Sequence, residues 1–232
     1  MTRCLLITGT SRGLGKAMAV AYLERGFTVI GCARSTSTIE HAAYEHRRLD
    51  VTDQDAVGAL FANLRKQRKA IDVLINNAGI ASMNAFALTP VESYERIFAT
   101  NVGATVSFCQ RALPLLRRSG APRIVNFSTV AVPLRLEGES LYAASKSAVE
   151  TLTKIVAKEY GRFGITCNAI GPSPIKTDLI RGVAQDKLDA LIKQQAVKEM
   201  ATADDVINTV DFFIDEKSKL VTGQVVYLGV VA

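Results

Sequence analysis

The chain has 232 residues, enough for one large α/β domain or two small ones, and a single domain over 1–232 is expected. Apolar residues make up 48% and charged residues 22%, the balance of an ordinary globular protein, and no apolar run approaches the roughly 18 to 20 residues of a membrane span. The net charge of +6 admits a nucleic-acid partner, but the basic residues are scattered and the densest groups, Arg65 to Lys69 and Arg117-Arg118, fall at segment ends without aromatic interleaving, so neither nucleic acid nor membrane is expected.

In chain order, Arg3 to Thr8 is a short apolar run of the kind that forms a buried parallel strand. It passes into Thr8-Gly9-Thr10-Ser11-Arg12-Gly13-Leu14-Gly15, and Lys16 to Arg25 then carries helical periodicity up to Gly26. Strand, glycine turn and helix together suit a dinucleotide phosphate. Gly9 permits the tight turn, Gly13 lets the backbone approach a pyrophosphate, and Gly15 allows close helix packing while the helix N-terminus faces the anion. The spacing Gly-x-x-x-Gly-x-Gly differs from the general Gly-x-Gly-x-x-Gly fingerprint.

The second strand, Thr28 to Ala33, ends at Arg34, where an NAD-binding unit would place a carboxylate for the adenosine ribose. Unless Arg34 merely points into water, a 2′-phosphate can sit against its guanidinium with help from Arg12, which selects NADPH over NADH. Arg48 to Asp53 reads as a short strand followed by a helix N-cap at Thr52 or Asp53 and a helix over 54–66. His41 and His46 fall in a polar, loop-like segment with no cysteine nearby, which leaves a zinc site almost without ligands. Cys4, Cys32, Cys109 and Cys167 have no metal-ligand spacing and read as buried free thiols.

Ile71 to Ile75 is a β-branched strand running into Asn76-Asn77-Ala78-Gly79, a polar turn able to meet a ligand. A long helix over 91–118 follows, with Asn101 among apolar neighbours, where its side chain either bridges a kink or serves a site. Arg123 to Ser128 is the next strand, then comes a loop over 130–140 and a helix over 141–160. On that helix Tyr142 and Lys146 share a face four residues apart. Ile165 to Ile170 is a strand leading into the proline-shaped turn Gly171 to Thr177. Residues 178–198 are helical in pattern and polar, as a lid over about 178–200 would be; a helix from Asp204 to Asp215 and a strand from Gly223 to Leu228 complete the chain. The alternation predicts an α/β fold, a doubly wound, Rossmann-like parallel sheet with its ligand crevice at the strand C-termini.

Over nearly its whole length the chain resembles the single-domain branch of the short-chain dehydrogenases/reductases, nearest to the β-ketoacyl-carrier-protein reductase type. The resemblance rests on Thr8-Gly9-x-x-x-Gly13-x-Gly15, Asp50-Val51, Asn76-Asn77-Ala78-Gly79, Asn101, Tyr142-x-x-x-Lys146 and Pro172 to Thr177. It implies coenzyme contacts from Gly9, Ser11, Arg12, Gly13, Leu14, Gly15, Arg34, Asp50, Val51, Asn77, Ala78, Gly79, Tyr142, Lys146, Pro172, Ser173, Ile175 and Thr177. It implies a catalytic set of Asn101, Thr129, Tyr142 and Lys146. Two departures stand out: Thr129 replaces the family's usual serine, with Ser128 beside it, and Ser173 replaces the glycine after the proline.

By this resemblance the protein is an NADPH/NADP-dependent oxidoreductase that reduces a ketone or 3-oxoacyl carbonyl to an alcohol. Tyr142 is its proton donor, with a pKa lowered by Lys146 and the oxidised nicotinamide; Thr129 holds the carbonyl oxygen, and Asn101 positions a water that relays protons to Lys146. An alcohol or polyol dehydrogenase working oxidatively, and an NADPH-binding sensor without chemistry, remain alternatives. A small-molecule carbonyl or alcohol substrate, a cytoplasmic location and a homo-oligomer, tetramer or dimer, packed through the helices over 91–118 and 141–160 complete the expectation.

Overall fold

A computed structural model describes residues 2–67, 70–175 and 185–231. Its organising element is a parallel sheet of seven strands in the order β3-β2-β1-β4-β5-β6-β7. The strands are β1 (Cys4–Thr8), β2 (Thr28–Ala33), β3 (Tyr44–Arg48), β4 (Val73–Asn76), β5 (Arg123–Phe127), β6 (Thr166–Gly171) and β7 (Val225–Tyr227). The central strands are buried along their whole length, which is why they read as continuous apolar runs and not as alternating ones.

Helices cover both faces. On one lie α2 (Gln54–Gln67), α4 (Ala104–Leu116) and α6 (Ser140–Tyr160), whose Leu60, Phe61, Leu64, Phe108, Leu115 and Val156 form one core with the sheet. On the other lie α1 (Gly13–Glu24) and α8 (Ala203–Ile214), which bury Met18, Tyr22, Val206, Val210 and Phe213. Each fully buried large side chain contributes about 1.5–3 kcal/mol of transfer free energy, so both faces are anchored independently of any ligand. Strand order reverses between β1 and β4, and the crevice at that switch point opens at the C-terminal ends of Thr8 and Asn76.

Four boundaries differ from the sequence expectation. The third strand is Tyr44–Arg48, and it carries His46, so this histidine is not in a loop. Asp50 to Thr52, expected within a strand, is instead a turn closed by the Thr52 amide and hydroxyl on Asp50 Oδ1 at 2.9 and 2.8 Å. Asp53 caps α2 by accepting from the Ala56 amide at 2.9 Å.

The long helix over 91–118 is broken into α3 (Val91–Phe98), a π turn (Ala99–Gly103) and α4. The loop over 130–140 contains the short helix α5 (Ala131–Leu134), and the final strand is confined to Val225–Tyr227. In the expected lid region the structure describes α7 (Gln185–Gln194). Residues 176–184, which include Thr177, lie outside the described residues.

All four cysteines are buried free thiols. Burial pushes Cys32 and Cys109 up to about 12, too high for thiolate chemistry at neutral pH. Among the described residues no group of three or more His, Cys, Asp or Glu can hold a metal ion, and no helix is long and apolar enough to cross a membrane.

Candidate active site

The glycine turn closes on itself and on β4. Gly9 has φ +79° and donates its amide to the Cys32 carbonyl at 2.7 Å, a left-handed conformation that only glycine adopts without strain. A methyl group at Gly15 would collide with the Gly9 carbonyl and stand 2.5 Å from Asn77 Nδ2. Asn77 Nδ2 in turn donates to the Thr8 carbonyl at 2.8 Å, and the Ala78 amide donates to Thr8 Oγ1 at 2.9 Å. These bonds lash the ends of β1 and β4 together at the switch point. No side chain caps α1, no acidic residue sits in its first turn, and Ser11, Arg12, Gly13 and Leu14 are half-buried or exposed. The turn thus presents a helix N-terminus that suits an anion.

A second tie runs from this turn to β3. Thr10 Oγ1 and the Tyr44 hydroxyl are 2.9 Å apart, Tyr44 and His46 Nδ1 are 2.9 Å apart, and His46 Nε2 meets the Ser35 carbonyl at 2.9 Å. A carbonyl only accepts, so Nε2 carries the proton and Nδ1 accepts from Tyr44, whose oxygen then accepts from Thr10. Gly31 makes room for this chain, since a methyl there would strike both hydroxyls. At the end of β2, Arg34 is 71% exposed and stands 4.0 Å from Asp50. Slight burial pushes the Asp50 carboxyl up, but the Thr52 amide and hydroxyl and the Arg34 charge together hold it below its ordinary value. Val51 is buried beside it.

Across the switch point lie Asn101, Thr129, Tyr142 and Lys146, all buried and brought together. Lys146 Nζ donates to the Phe127 carbonyl at 2.8 Å and lies 6.0 Å from the centre of the Tyr142 ring. Gly79 closes this group. A methyl there would stand 3.3 Å from Asn101 Oδ1 and 3.4 Å from Lys146 Nζ.

Asn101 sits in the π turn, and its amide clamps Ile80: Oδ1 accepts from the Ile80 amide at 2.9 Å while Nδ2 donates to the Ile80 carbonyl at 3.0 Å. Nδ2 also donates to Ser145 Oγ at 3.0 Å, so both amide hydrogens are used. The wider π turn is what brings an otherwise helix-averse residue into reach of that backbone.

The Thr129 hydroxyl lies on the Tyr142 side, near enough to pull the phenol's pKa down, and accepts from the Ala131 amide at 3.2 Å. Ser128 is turned the other way. It donates to the buried carboxylate of Glu150, which also accepts from the Tyr227 hydroxyl at 2.6 Å. Of the two adjacent hydroxyls, it is therefore Thr129 that faces the phenol. Pro172 accepts the Val130 amide at 3.3 Å through its carbonyl, Ser173 Oγ accepts the Ala201 amide at 3.1 Å, and Ile175 bridges to Ala201. The serine in place of glycine thus ties this loop to the chain that leads into α8.

The chain by itself does not lower the phenol; the expected fall joined Lys146 to the oxidised nicotinamide. Burial, then the charge of Glu139, push Tyr142 up to about 12, and only the Thr129 hydroxyl pulls it down. Lys146, lowered by burial to about 8, spends its ammonium on the Phe127 carbonyl. Sequence reasoning also missed Ser145, Glu150 and Glu139. Ser145 looked like helix filler, although its place three residues after Tyr142 puts it on the same face. Glu150 carried a readable signal: it lies four residues past Lys146 on a face that is otherwise being buried.

A doubly wound parallel sheet with a glycine turn at its switch point, facing a buried Tyr-Lys pair, defines a Rossmann-type domain. The sequence matches the family described as Enoyl-(Acyl carrier protein) reductase over residues 9–229, and the chain belongs to the short-chain dehydrogenases/reductases. It is 37% identical to 2-(R)-hydroxypropyl-CoM dehydrogenase of Xanthobacter autotrophicus over 96% of this chain and 95% of that protein. It is 30% identical to the 3-oxoacyl-[acyl-carrier-protein] reductase FabG of Staphylococcus aureus, covering 99% of this chain and 97% of the relative. A solved structure of ElxO with NADP bound superposes with a TM-score of 0.89 at 27% identity, over 98% of this chain and 97% of that one.

Proposed function

We propose that the chain is an NADPH-dependent carbonyl reductase that converts a ketone or 3-oxoacyl compound to the alcohol. The observation that carries this reading is the buried Tyr142 phenol, with the Thr129 hydroxyl beside it and Lys146 Nζ 6.0 Å from its ring centre. The likeness to ElxO with NADP bound and to FabG supports it. So does the turn itself, which leaves the N-terminus of α1 without a side-chain cap or an acidic residue in its first turn, and the placing of Arg34 where a ribose-binding carboxylate would otherwise stand. Buried free thiols suit a reducing cytoplasm. Exposed Val91 and Tyr94 on α3 and Ile155 on α6 give a homo-oligomer apolar surface to cover.

NADPH, held by the glycine turn, Arg34 and Lys146, would supply the hydride. The chain's own residues do the rest. With a pKa near 12 the phenol of Tyr142 holds its proton at neutral pH, the form needed by a donor to a carbonyl oxygen. Thr129, whose hydroxyl lies beside the phenol, would add a second donor to the developing oxyanion. Lys146, still charged below about pH 8, places a cation one helical turn from Tyr142. Asn101 holds Ile80 and Ser145 and so fixes the far wall; with both amide hydrogens engaged, any water it positions must use Oδ1.

Titration with both coenzymes, together with turnover on a ketone panel, tests this reading. NADPH should bind more tightly than NADH, and Arg34→Ala should weaken NADPH by roughly tenfold while sparing NADH. Tyr142→Phe should cut turnover by about 10²–10⁴-fold with NADPH affinity kept. Tighter binding of NADH, or full turnover by the phenylalanine variant, would sink it.

A further inference from the structure

The helix that carries Tyr142 opens at Glu139, and its side chain caps nothing. Among the described residues, no hydrogen bond or ion pair engages this carboxylate, although the residue is half-buried. It lies three residues before Tyr142 at the start of the same helix, and its charge helps to keep the phenol protonated. Burial pushes its own pKa up.

The surroundings of Glu139 are walls of the crevice and not bulk surface. The Asn84 amide donates to the Gly138 carbonyl at 2.9 Å, and a methyl at Gly138 would stand 3.3 Å from Met83 Cγ. Lys187 Nζ on α7 approaches Met83 Sδ at 3.8 Å. Ile80, a few residues before Met83, is the group held by Asn101. Gly138, the residue before Glu139, is thus seated against the loop over 80–84, which α7 touches through Met83, and the Glu139 carboxylate half-buried at the start of α6 is near enough to the proton donor for its charge to act on the phenol. A partly desolvated carboxylate without a donor is unfavourable, and a ligand that brings one relieves that cost.

Resting on the reductase reading above, we infer that Glu139 sets the substrate class: the carbonyl compound carries a hydrogen-bond donor, a hydroxyl or an ammonium group, next to its reacting carbon, and Glu139 accepts from it. A substrate with a carboxylate at that place would meet like charge and be rejected.

Four ketones of nearly equal size test this: butanone, hydroxyacetone, aminoacetone and pyruvate, which place ethyl, hydroxymethyl, aminomethyl and carboxylate groups on the carbonyl. Turnover with NADPH is compared for the native protein, Glu139→Gln and Glu139→Ala. The affinity of each ketone for the NADPH-loaded Tyr142→Phe protein is measured by calorimetry, with and without Glu139→Ala. Removing Glu139 also changes the phenol and so shifts kcat for all four ketones together; the ratios between ketones isolate recognition.

The native protein should prefer hydroxyacetone and aminoacetone to butanone by about tenfold or more and disfavour pyruvate. Glu139→Gln should keep part of the hydroxyl preference and lose the ammonium preference, and Glu139→Ala should lose both. Loss of one preference and not the other identifies which donor is meant. Ratios unchanged in both variants would overturn the assignment. Should no ketone turn over while calorimetry still shows the ranking and Glu139→Ala abolishes it, the reductase reading fails and the role of Glu139 stands.

Discussion

The two rims of the crevice are built differently. On the rim proposed for the coenzyme, from Thr8 to Gly15 and across to Asn77, the Gly9 backbone, the Asn77 amide and Thr8 Oγ1 pack so closely that a single carbon added at Gly9 or Gly15 has nowhere to go. On the rim proposed for the substrate, one backbone bond from Asn84 to Gly138 is joined by looser side-chain contacts: Asn101 on Ile80, Met83 against Gly138, Lys187 on Met83. The first rim tolerates one shape, whereas the second can be re-cut residue by residue. That is the division of labour expected where one coenzyme serves many substrates.

Three measurements would break or sharpen this contrast. The largest effect belongs to Lys146, at the seam between the rims. Its folded pKa, about 8, lies below the unfolded value, so the unfolded chain binds the extra proton between about pH 8 and 10.4. The Lys146 contribution should therefore rise with pH across that window, by on the order of 3 kcal/mol, against the fall set by the buried Cys32 and Cys109 thiols, which stay protonated in the folded chain where the unfolded chain ionises them. Lys146→Met should lack this rise, and urea midpoints taken from neutral to alkaline pH in both proteins would show it; parallel curves would refute it.

Next comes Gly15→Ala on the backbone-built rim. The new methyl meets the Gly9 carbonyl and Asn77, so a loss of about 1–3 kcal/mol is expected, with coenzyme binding lost as the turn shifts. An unchanged urea midpoint and unchanged NADPH titration would mean that this rim is softer than it looks. The smallest effect should come from Ser173→Gly, which gives up one hydrogen bond to the Ala201 amide. A cost of about 1 kcal/mol, a few degrees in Tm, is expected with NADPH affinity retained.

The same contrast decides what could be read from the sequence. The glycine turn, the buried strands and the Tyr142-Lys146 pair were legible because sterics and periodicity leave few other solutions. The third strand was misplaced because Tyr44–Arg48 is a half-polar edge strand with no apolar run to announce it, and the buried Leu49 and Val51 beyond it imitate one. The irregularity in the long helix was signalled by Asn101 alone, and its form was not, because a π turn changes only hydrogen-bond register. Spacing places Lys146 near Tyr142 but does not reveal the burial and the Glu139 charge that push the phenol up in the chain by itself. The position of Thr129 before Tyr142 pointed to it over Ser128 only through the family resemblance; the physical reason, Glu150 on α6 taking the Ser128 hydroxyl, was not legible.

The π turn from Ala99 to Gly103 carries one consequence for how this chain can change over generations. Such a turn is an α-helix holding one residue too many. Deleting a residue between 99 and 103 would give an ordinary helix and stay in frame with the sheet through α4. It would also swing α3 through about 100°, the angle one residue subtends on a helix. Ile97, now buried, would leave the core, and Asn101 would lose its grip on Ile80. The irregularity is the hinge-pin that sets the rotational phase of one helix against the site, and shortening the chain there is a route closed to this scaffold while it keeps its clamp.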